Sequence, residues 1–590
     1  MIITPFTKSV MKNTKLSILM IATLFAACTA DDPFSDTEYT TSPEGTVVEV
    51  PTSGTAASAV SSTDLSTFSV AIDKTTAEPT TTVAAYYPDA EDDIANNTFE
   101  TQVNIVFNGT TATYEAASGV TITTNGSHVV ANHGDTKGVC YVVSGQTANG
   151  SLTIVGEKKY EVLLSSATIT NADSTALNLL SKKRAYVVLD GTNSLADGTA
   201  SKASDQKAAL YCKGKLLFSG SGSLSVYGNY NNAIHSADYI VVGSGTKIYA
   251  TSTANHGIKA NDGIYINGGI LNVEVSAAGA KGINCESNIQ INGGRTTVIA
   301  TGGGVYEDGE AKGAAAVKCD STFTMNGGEL CLKATGSGGK ALKADWEAYI
   351  NGGTILAITE GSQYRYSNDT ASPKGMKIGT KGEHGLLNIS GGTVKVRTGG
   401  SNGEGIESKG TLTVSGGVVQ VSAYDDAINS AGDMYIMGGS IVAVGRSNDG
   451  IDSNSNMYIT GGNTVALGAG GAESGVDTSE QSRLYITGGE VFGIGGRVDA
   501  TYAATTDAQA YAQTSGSVSA NQTVTVASGS TVLGTFIMPP YSTSGNILVS
   551  ATGMTSGNSY TLTLGSQTKS VSATTSGSSG GMGGTPGGRH

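Results

Sequence analysis

Charge is scarce in this chain: Asp, Glu, Lys and Arg make up 14% of its 590 residues, against a usual share of about a quarter. Helix surfaces are normally rich in Glu and Lys, so the shortage argues against a helical protein. Proline is scarce as well, ten residues in all, and glycine keeps no strict period of three, which excludes collagen. The six cysteines include no CxxC spacing, so no zinc or thiol redox motif is present. GxSxG, Walker and Rossmann motifs in a strand-to-helix context are also missing. What is abundant is glycine, 82 residues, about twice the usual share, together with Thr, Ser and Val. That composition reads as all-β. With 35 Lys and Arg against 49 Asp and Glu, the net charge is -14, which disfavours nucleic acid or an anionic membrane as partner and favours a cation or a neutral ligand.

The N-terminus reads as an export signal over residues 1–27. Lys8, Lys12 and Lys15 precede an apolar run, Leu16 to Ala27, too short to span a membrane permanently. The segment Leu24-Phe25-Ala26-Ala27-Cys28 resembles a bacterial lipobox, which implies lipidation of Cys28 and an outer-membrane lipoprotein exposed at the cell surface. Asp31 and Asp32 resemble the acidic export tag of surface lipoproteins. Residues 28–85 are rich in Thr, Ser, Ala and Pro and read as a flexible tether.

The organising feature is a repeat. Nine Gly-Gly pairs end at Gly269, Gly294, Gly328, Gly353, Gly392, Gly417, Gly439, Gly462 and Gly489, with spacings of 25, 34, 25, 39, 25, 22, 23 and 27. Two places before each pair stands an apolar residue, from Ile266 and Ile291 through to Ile459 and Ile486, and another apolar residue stands two places earlier still. That alternation has the period of a strand. Coils of this length without helical segments predict a parallel β-helix over residues 86–497, each strand pairing with its equivalent about 4.8 Å along the axis. The two long spacings mark insertions, Thr301 to Lys312 and Gly361 to Lys374, which must leave the solenoid as loops. Cys212, Cys285 and Cys319 share one position of the repeat, and the five cysteines after Cys28 are expected as buried free thiols. Residues 498–574 read as a small C-terminal β-module and 575–590 as a disordered Gly-rich tail.

Charge is uneven along the repeat. From Glu404 to Glu480 there are ten acidic and two basic residues, whereas Lys312 to Arg397 holds eleven basic and seven acidic. Glu404, Asp426 and Asp449 occupy one repeat position, and Glu407, Asn429, Asp452 and Asp477 another, with Asp425 and Glu473 adding oxygens beside them. Carboxylates stacked on successive coils repel one another, and a bound Ca²⁺, which takes six to eight oxygen ligands, relieves that repulsion. The alternative is a solvated polar turn, where Asp and Asn are favoured for backbone reasons. Tyr435, Tyr458 and Tyr485 form a column expected to face outward, either to stack on sugar rings or to stabilise the strands. Tyr364, Arg365 and Tyr366, in the second insertion, offer a guanidinium between two rings for a sugar carboxylate, or a loop folded back on the solenoid. Lys409 is the lysine inside the acidic zone, and so the candidate base were the chain a lyase.

Several stretches together resemble a family of secreted bacterial carbohydrate-binding β-helix proteins. They include Gly119-Val120-Thr121-Ile122, Gly150-Ser151-Leu152-Thr153-Ile154, Val162-Leu163-Leu164 with Thr168-Ile169-Thr170, and the run from Asp190 to Gly198. Gly405-Ile406-Glu407-Ser408, Gly450-Ile451-Asp452-Ser453 and the glycine pairs extend the likeness to roughly residues 99 to 565. The resemblance implies a right-handed parallel β-helix that binds calcium and plant cell-wall polysaccharide, polygalacturonate or cellulose, with a distant kinship to pectate lyases. The expected function is calcium-dependent polysaccharide binding, with a calcium-dependent lyase and a structural spike or adhesin as the other readings. The expected partners are a polysaccharide and other surface glycan-uptake proteins, with no nucleic acid and with membrane contact through the lipid anchor alone.

Overall fold

The computed structural model describes residues 54–80, 83–200, 206–499 and 507–576. The signal segment, Cys28 and residues 577–590 lie outside them. Among the described residues the regular structure is β-strand, apart from two three-residue 3-10 turns, Ala90–Asp92 and Ile94–Asn96. Each coil carries three short strands, as in Thr411–Val414, Val418–Ala423 and Ile428–Ser430. Each strand pairs in parallel with its equivalents one coil before and one coil after. The third strands form a fifteen-stranded sheet, which begins with the antiparallel hairpin of Thr121–Asn125 and His128–Asn132 and then climbs in parallel to Val476–Thr478. The result is a β-solenoid of about 14 turns.

The apolar ladder is realised in register. Ile266, Ile291, Met325, Ile350, Ile389, Val414, Ile436, Ile459 and Ile486 pair one after another along the axis, and all are buried. Each such side chain contributes about 1.5–3 kcal/mol relative to exposure. The second glycine of every pair turns the chain at a φ between 74° and 81°, a region a side chain enters only with strain. The first glycine lies against the coil below: a Cβ on Gly438 would sit 2.4 Å from the Ser415 carbonyl oxygen. Cys212, Ser236, Ala260, Cys285, Cys319 and Ala344 line up on successive rungs as one small-residue column, and the five cysteines are buried free thiols.

Both insertions leave the solenoid, and both are hairpins rather than irregular loops. Val305–Glu307 pairs with Glu310–Lys312, and Tyr364–Tyr366 pairs with Asp369–Ala371. At the far end the last coil does not present a bare edge, because Leu484–Gly495 pairs antiparallel with Thr543–Ser550, which in turn pairs with Tyr511–Val518. Phe492 and Ile494 share an apolar cluster with Val524, Phe536 and Leu562 from this antiparallel region.

The tether expected over residues 28–85 is corrected where the chain is described. Residues 54–80 lie along the outside of the solenoid against many coils. The Thr55 amide donates to the Met437 carbonyl, Asp64 pairs with Lys395, and Glu78 accepts from the amides of Gly245 and Gly269. The composition of the segment cannot build a core, but it does not need to. Outward-facing apolar residues of the coils are already in place: Leu65 joins Val442, Val444 and Val465, and Val70 joins Cys331 and Ile358.

Candidate functional site

The repeat that builds the fifteen-stranded sheet places two polar residues around a small residue and a buried aliphatic one. Ile406, Ile428, Ile451 and Val476 stack inside, which holds Glu407, Asn429, Asp452 and Asp477 side by side on consecutive rungs. Asp426 and Asp449 stand three places earlier in their own coils, and their side chains converge with that of Asp452. One carboxylate oxygen from each of these three lies within 4.8 Å of the others.

The surroundings fix this trio. Asp426 Oδ1 accepts the Asp449 amide at 3.0 Å, and Asp449 Oδ1 accepts the Ser474 amide at 2.6 Å. Asn429 Nδ2 donates to Asp426 Oδ2 at 3.1 Å and to Asp452 Oδ2 at 3.2 Å. These bonds set the rotamers without supplying a cation. Burial, then the neighbouring Asp477, Asp426 and Glu473, pushes the Asp449 carboxyl up to about 8. Burial and Asp425 push Asp426 up to about 6, and burial with the other acids pushes Asp452 well above its ordinary value. Two buried carboxyls and a half-buried one this close must hold protons or share a cation. The donors are hard oxygens with no imidazole or thiolate among them, which fits calcium and does not fit zinc.

The other predicted acidic residues do different things. Glu404 and Glu407 share the buried Lys374, whose Nζ lies 2.5 Å from Glu404 Oε1 and 3.1 Å from Glu407 Oε1, and Lys409 Nζ is 2.5 Å from Glu407 Oε1. Burial raises Glu407, but Lys374, Lys409 and Lys377 outweigh it and hold its carboxyl well below the usual range. Burial keeps Glu404 high in spite of Lys374. The second oxygen of each, Oε2, is buried without a hydrogen-bond partner. Asp477 is paired with Arg497 at 2.6 Å. Asp425 and Glu473 are half-buried in the turns and act on the trio through their charge.

The tyrosine column is stacked, but not as an outward platform. Ring centroids of Tyr435 and Tyr458, and of Tyr458 and Tyr485, are 5.0 Å apart and nearly parallel. Tyr458 and Tyr485 leave the interior ladder, but at 6% and 1% exposure the face they occupy is covered rather than open to a sugar ring, and the stack serves the strands. Tyr435 is half-buried. All three belong to strands of the neighbouring sheet, not to the sheet of the acidic trio. In the second hairpin Arg365 is exposed, Tyr364 packs at Gly304, and Tyr366 stacks on Tyr306 of the first hairpin with centroids 4.2 Å apart. Arg365 therefore does not lie in a sandwich of its two neighbours.

The sequence reading passed over a basic counterpart of the acidic columns. On the rungs before Glu404 and Glu407 the same two positions carry Lys340 and Lys343, then Lys374 and Lys377. Lys318 stands at the second of these positions one rung before Lys340 and Lys343, and Lys281 at the first position two rungs before. The signal was present in Lys340-Ala341-Leu342-Lys343 and Lys374-Gly375-Met376-Lys377, which have the same form as Glu404-Gly405-Ile406-Glu407. A second unread ladder is made by the asparagines before the glycine pairs, Asn267, Asn292, Asn326 and Asn351, each donating its amide to the one before at 2.9 Å.

A long solenoid with one polar, charge-graded face belongs to the class of extended surfaces suited to polymers rather than to small-molecule clefts. A family model described as carbohydrate-binding domain-containing protein matches residues 118–279 and 248–423, together more than half of the chain, and the chain belongs to that family. The matched stretch contains the lysine rungs, Glu404 and Glu407, and ends just before Asp426. No curated protein matches the chain. Among solved structures it is similar to the polysaccharide lyase-like protein from C. thermocellum, determined as a gadolinium derivative, with 20% identity, a TM-score of 0.29, and coverage of 44% of this chain and 95% of that one.

Proposed function

We propose that this protein is a calcium-dependent polysaccharide-binding lipoprotein, anchored through Cys28 at the outer membrane and exposed at the cell surface, with acidic glycans such as polygalacturonate as its ligands. Carbohydrate binding follows from the family. The observation that carries the calcium reading is the convergence of Asp426, Asp449 and Asp452, none of which is in an ion pair among the described residues. These three would hold the ion, and the ion would supply positive charge toward a glycan carboxylate that a chain of net charge -14 otherwise repels. The Glu404 and Glu407 pair, neutralised by Lys374 and Lys409, marks the boundary of the acidic rungs.

A binder is favoured over a lyase by the state of Lys409. A lyase base must be free to take the proton α to a uronate carboxyl, and Lys409 is engaged with Glu407. The test is retention of polygalacturonate on the immobilised protein with calcium and with EDTA. Wild-type protein retains more polymer with calcium than in EDTA, and Asp449→Asn with Asp452→Asn removes this calcium-dependent increment. Release of unsaturated oligouronides, seen as new ultraviolet absorbance, would replace this reading with the lyase.

A further inference from the structure

The lysine rungs and the first hairpin enclose a cavity of about 490 Å³, within the usual range of about 300–1,000 Å³ for ligand sites. Its floor is made by Lys281, Lys318, Lys340, Lys343 and Lys377, and its wall by the segment from Glu307 to Lys312. Some of this charge is answered internally. Lys343 pairs with Asp345 at 2.7 Å, Lys318 with Asp320 and with Asp345, and Lys312 with Asp308 at 2.7 Å. Lys340 is not answered in this way. It is 9% exposed and its Nζ donates to the Gly338 carbonyl at 2.8 Å, and neither it nor Lys281 nor Lys377 has a carboxylate partner among the described residues. Burial, then the charges of Lys377, Lys343 and Lys374, pushes Lys340 down to about 7. Burial likewise lowers Lys281 and Lys377. Lys340 and Lys377 stand on adjoining rungs and Lys281 two rungs before Lys340. Glu307, Asp308, Glu310 and Asp345 also line the cavity, but none of them pairs with these three ammonium groups, which are costly to bury unless an anion enters between them.

Aromatic residues stand next in sequence to two of the lining residues, Tyr306 before Glu307 and Trp346 after Asp345. Tyr306 and Tyr366, 42% and 50% exposed, stack across the two hairpins. The exposed Trp346 follows Asp345, which lines the cavity, and rests on His384 with ring centroids 4.0 Å apart. Exposed aromatic faces close in sequence to such donors suit the apolar face and the polar edge of a sugar ring. We infer that the cavity over Lys281, Lys340 and Lys377 is an anion-recognition site for a carboxylated or sulfated glycan, and that it works without a metal. The inference rests on the carbohydrate-binding reading but not on calcium, and the two sites sit on the same sheet with opposite charge.

The experiment is calorimetric binding of three oligosaccharides in EDTA: an oligogalacturonate, a sulfated oligosaccharide and a neutral one of equal length. At least one of the two charged probes binds to wild-type protein, more weakly as salt is raised, and the neutral probe does not. The carboxylate and sulfate arms tell which anion the site prefers. Lys340→Gln with Lys377→Gln weakens binding by at least about tenfold, whereas Lys247→Gln, an exposed lysine of the neighbouring sheet, leaves it unchanged. Should the lysine pair prove necessary for folding, Lys281→Gln and a thermal shift of the wild-type chain by the charged probe supply the same test. Absence of binding by both charged probes in EDTA, or equal affinity in the lysine variants, overturns the proposal. Loss of calcium-dependent retention alone leaves this site standing and removes the other.

Discussion

Lys374 decides whether two inward-held glutamates can exist. Its ammonium touches Glu404 and Glu407 together; Glu407 is buried, and the Glu404 side chain is only 17% exposed. Removing one partner of a buried ionic group leaves an uncompensated charge and typically costs about 3–5 kcal/mol. Lys409 touches only Glu407 and is more exposed, so its loss should cost about 1 kcal/mol or less. Urea unfolding of Lys374→Ala and Lys409→Ala measures the difference, and equal midpoints would mean that Lys374 is not the counter-ion described here.

At the scale of the rungs, the acidic trio makes stability depend on pH in an unusual direction. In the metal-free fold Asp426 and Asp449 are raised from 3.8 to about 6 and about 8, so the folded chain holds protons that the unfolded chain has released. Their contribution is complete below about pH 4 and is lost as pH rises toward about 8. The melting temperature in EDTA should therefore fall between about pH 5 and pH 8, fall less in Asp449→Asn, and become flatter with saturating calcium, because the ion takes the place of the protons. Parallel curves with and without calcium would disconnect the trio from the metal.

The rungs also show what a reader of residues can and cannot see. The coil was legible because the glycine pairs, the alternating aliphatics and the small-residue cysteine column are all set by contacts between one coil and the next. The alignment of Glu407, Asn429, Asp452 and Asp477 was legible for the same reason. The pairing of Lys374 with Glu404 was not, because an insertion and a charge boundary hide that the basic and acidic stretches are neighbours in one column. Alternation told that Tyr458 and Tyr485 leave the interior ladder, but it carries no information about what lies over that face. The packing of residues 54–80 was hidden likewise, since Leu65 and Val70 need only a few apolar neighbours already present on the coils.

Along the whole molecule, one face passes from lysine rungs through a neutralised junction to carboxylate rungs, and the fold supplies this gradient by repetition alone. The segment over residues 54–80 and the antiparallel C-terminal strands lie against the other sheet and leave this face's sequence of charges uninterrupted. An extended acidic glycan could then meet ammonium groups on one stretch and a metal on the next. That picture stands or falls with the metal. Titration of calcium into the full chain by calorimetry at pH 7, repeated in buffers of different ionisation enthalpy, tests it directly. The account predicts saturable binding with protons released, because Asp449 is still largely protonated at that pH, and predicts that Asp449→Asn with Asp452→Asn abolishes both the binding and the proton release while the circular dichroism is unchanged. Identical heats for wild-type and variant protein, or no binding at millimolar calcium, would contradict it.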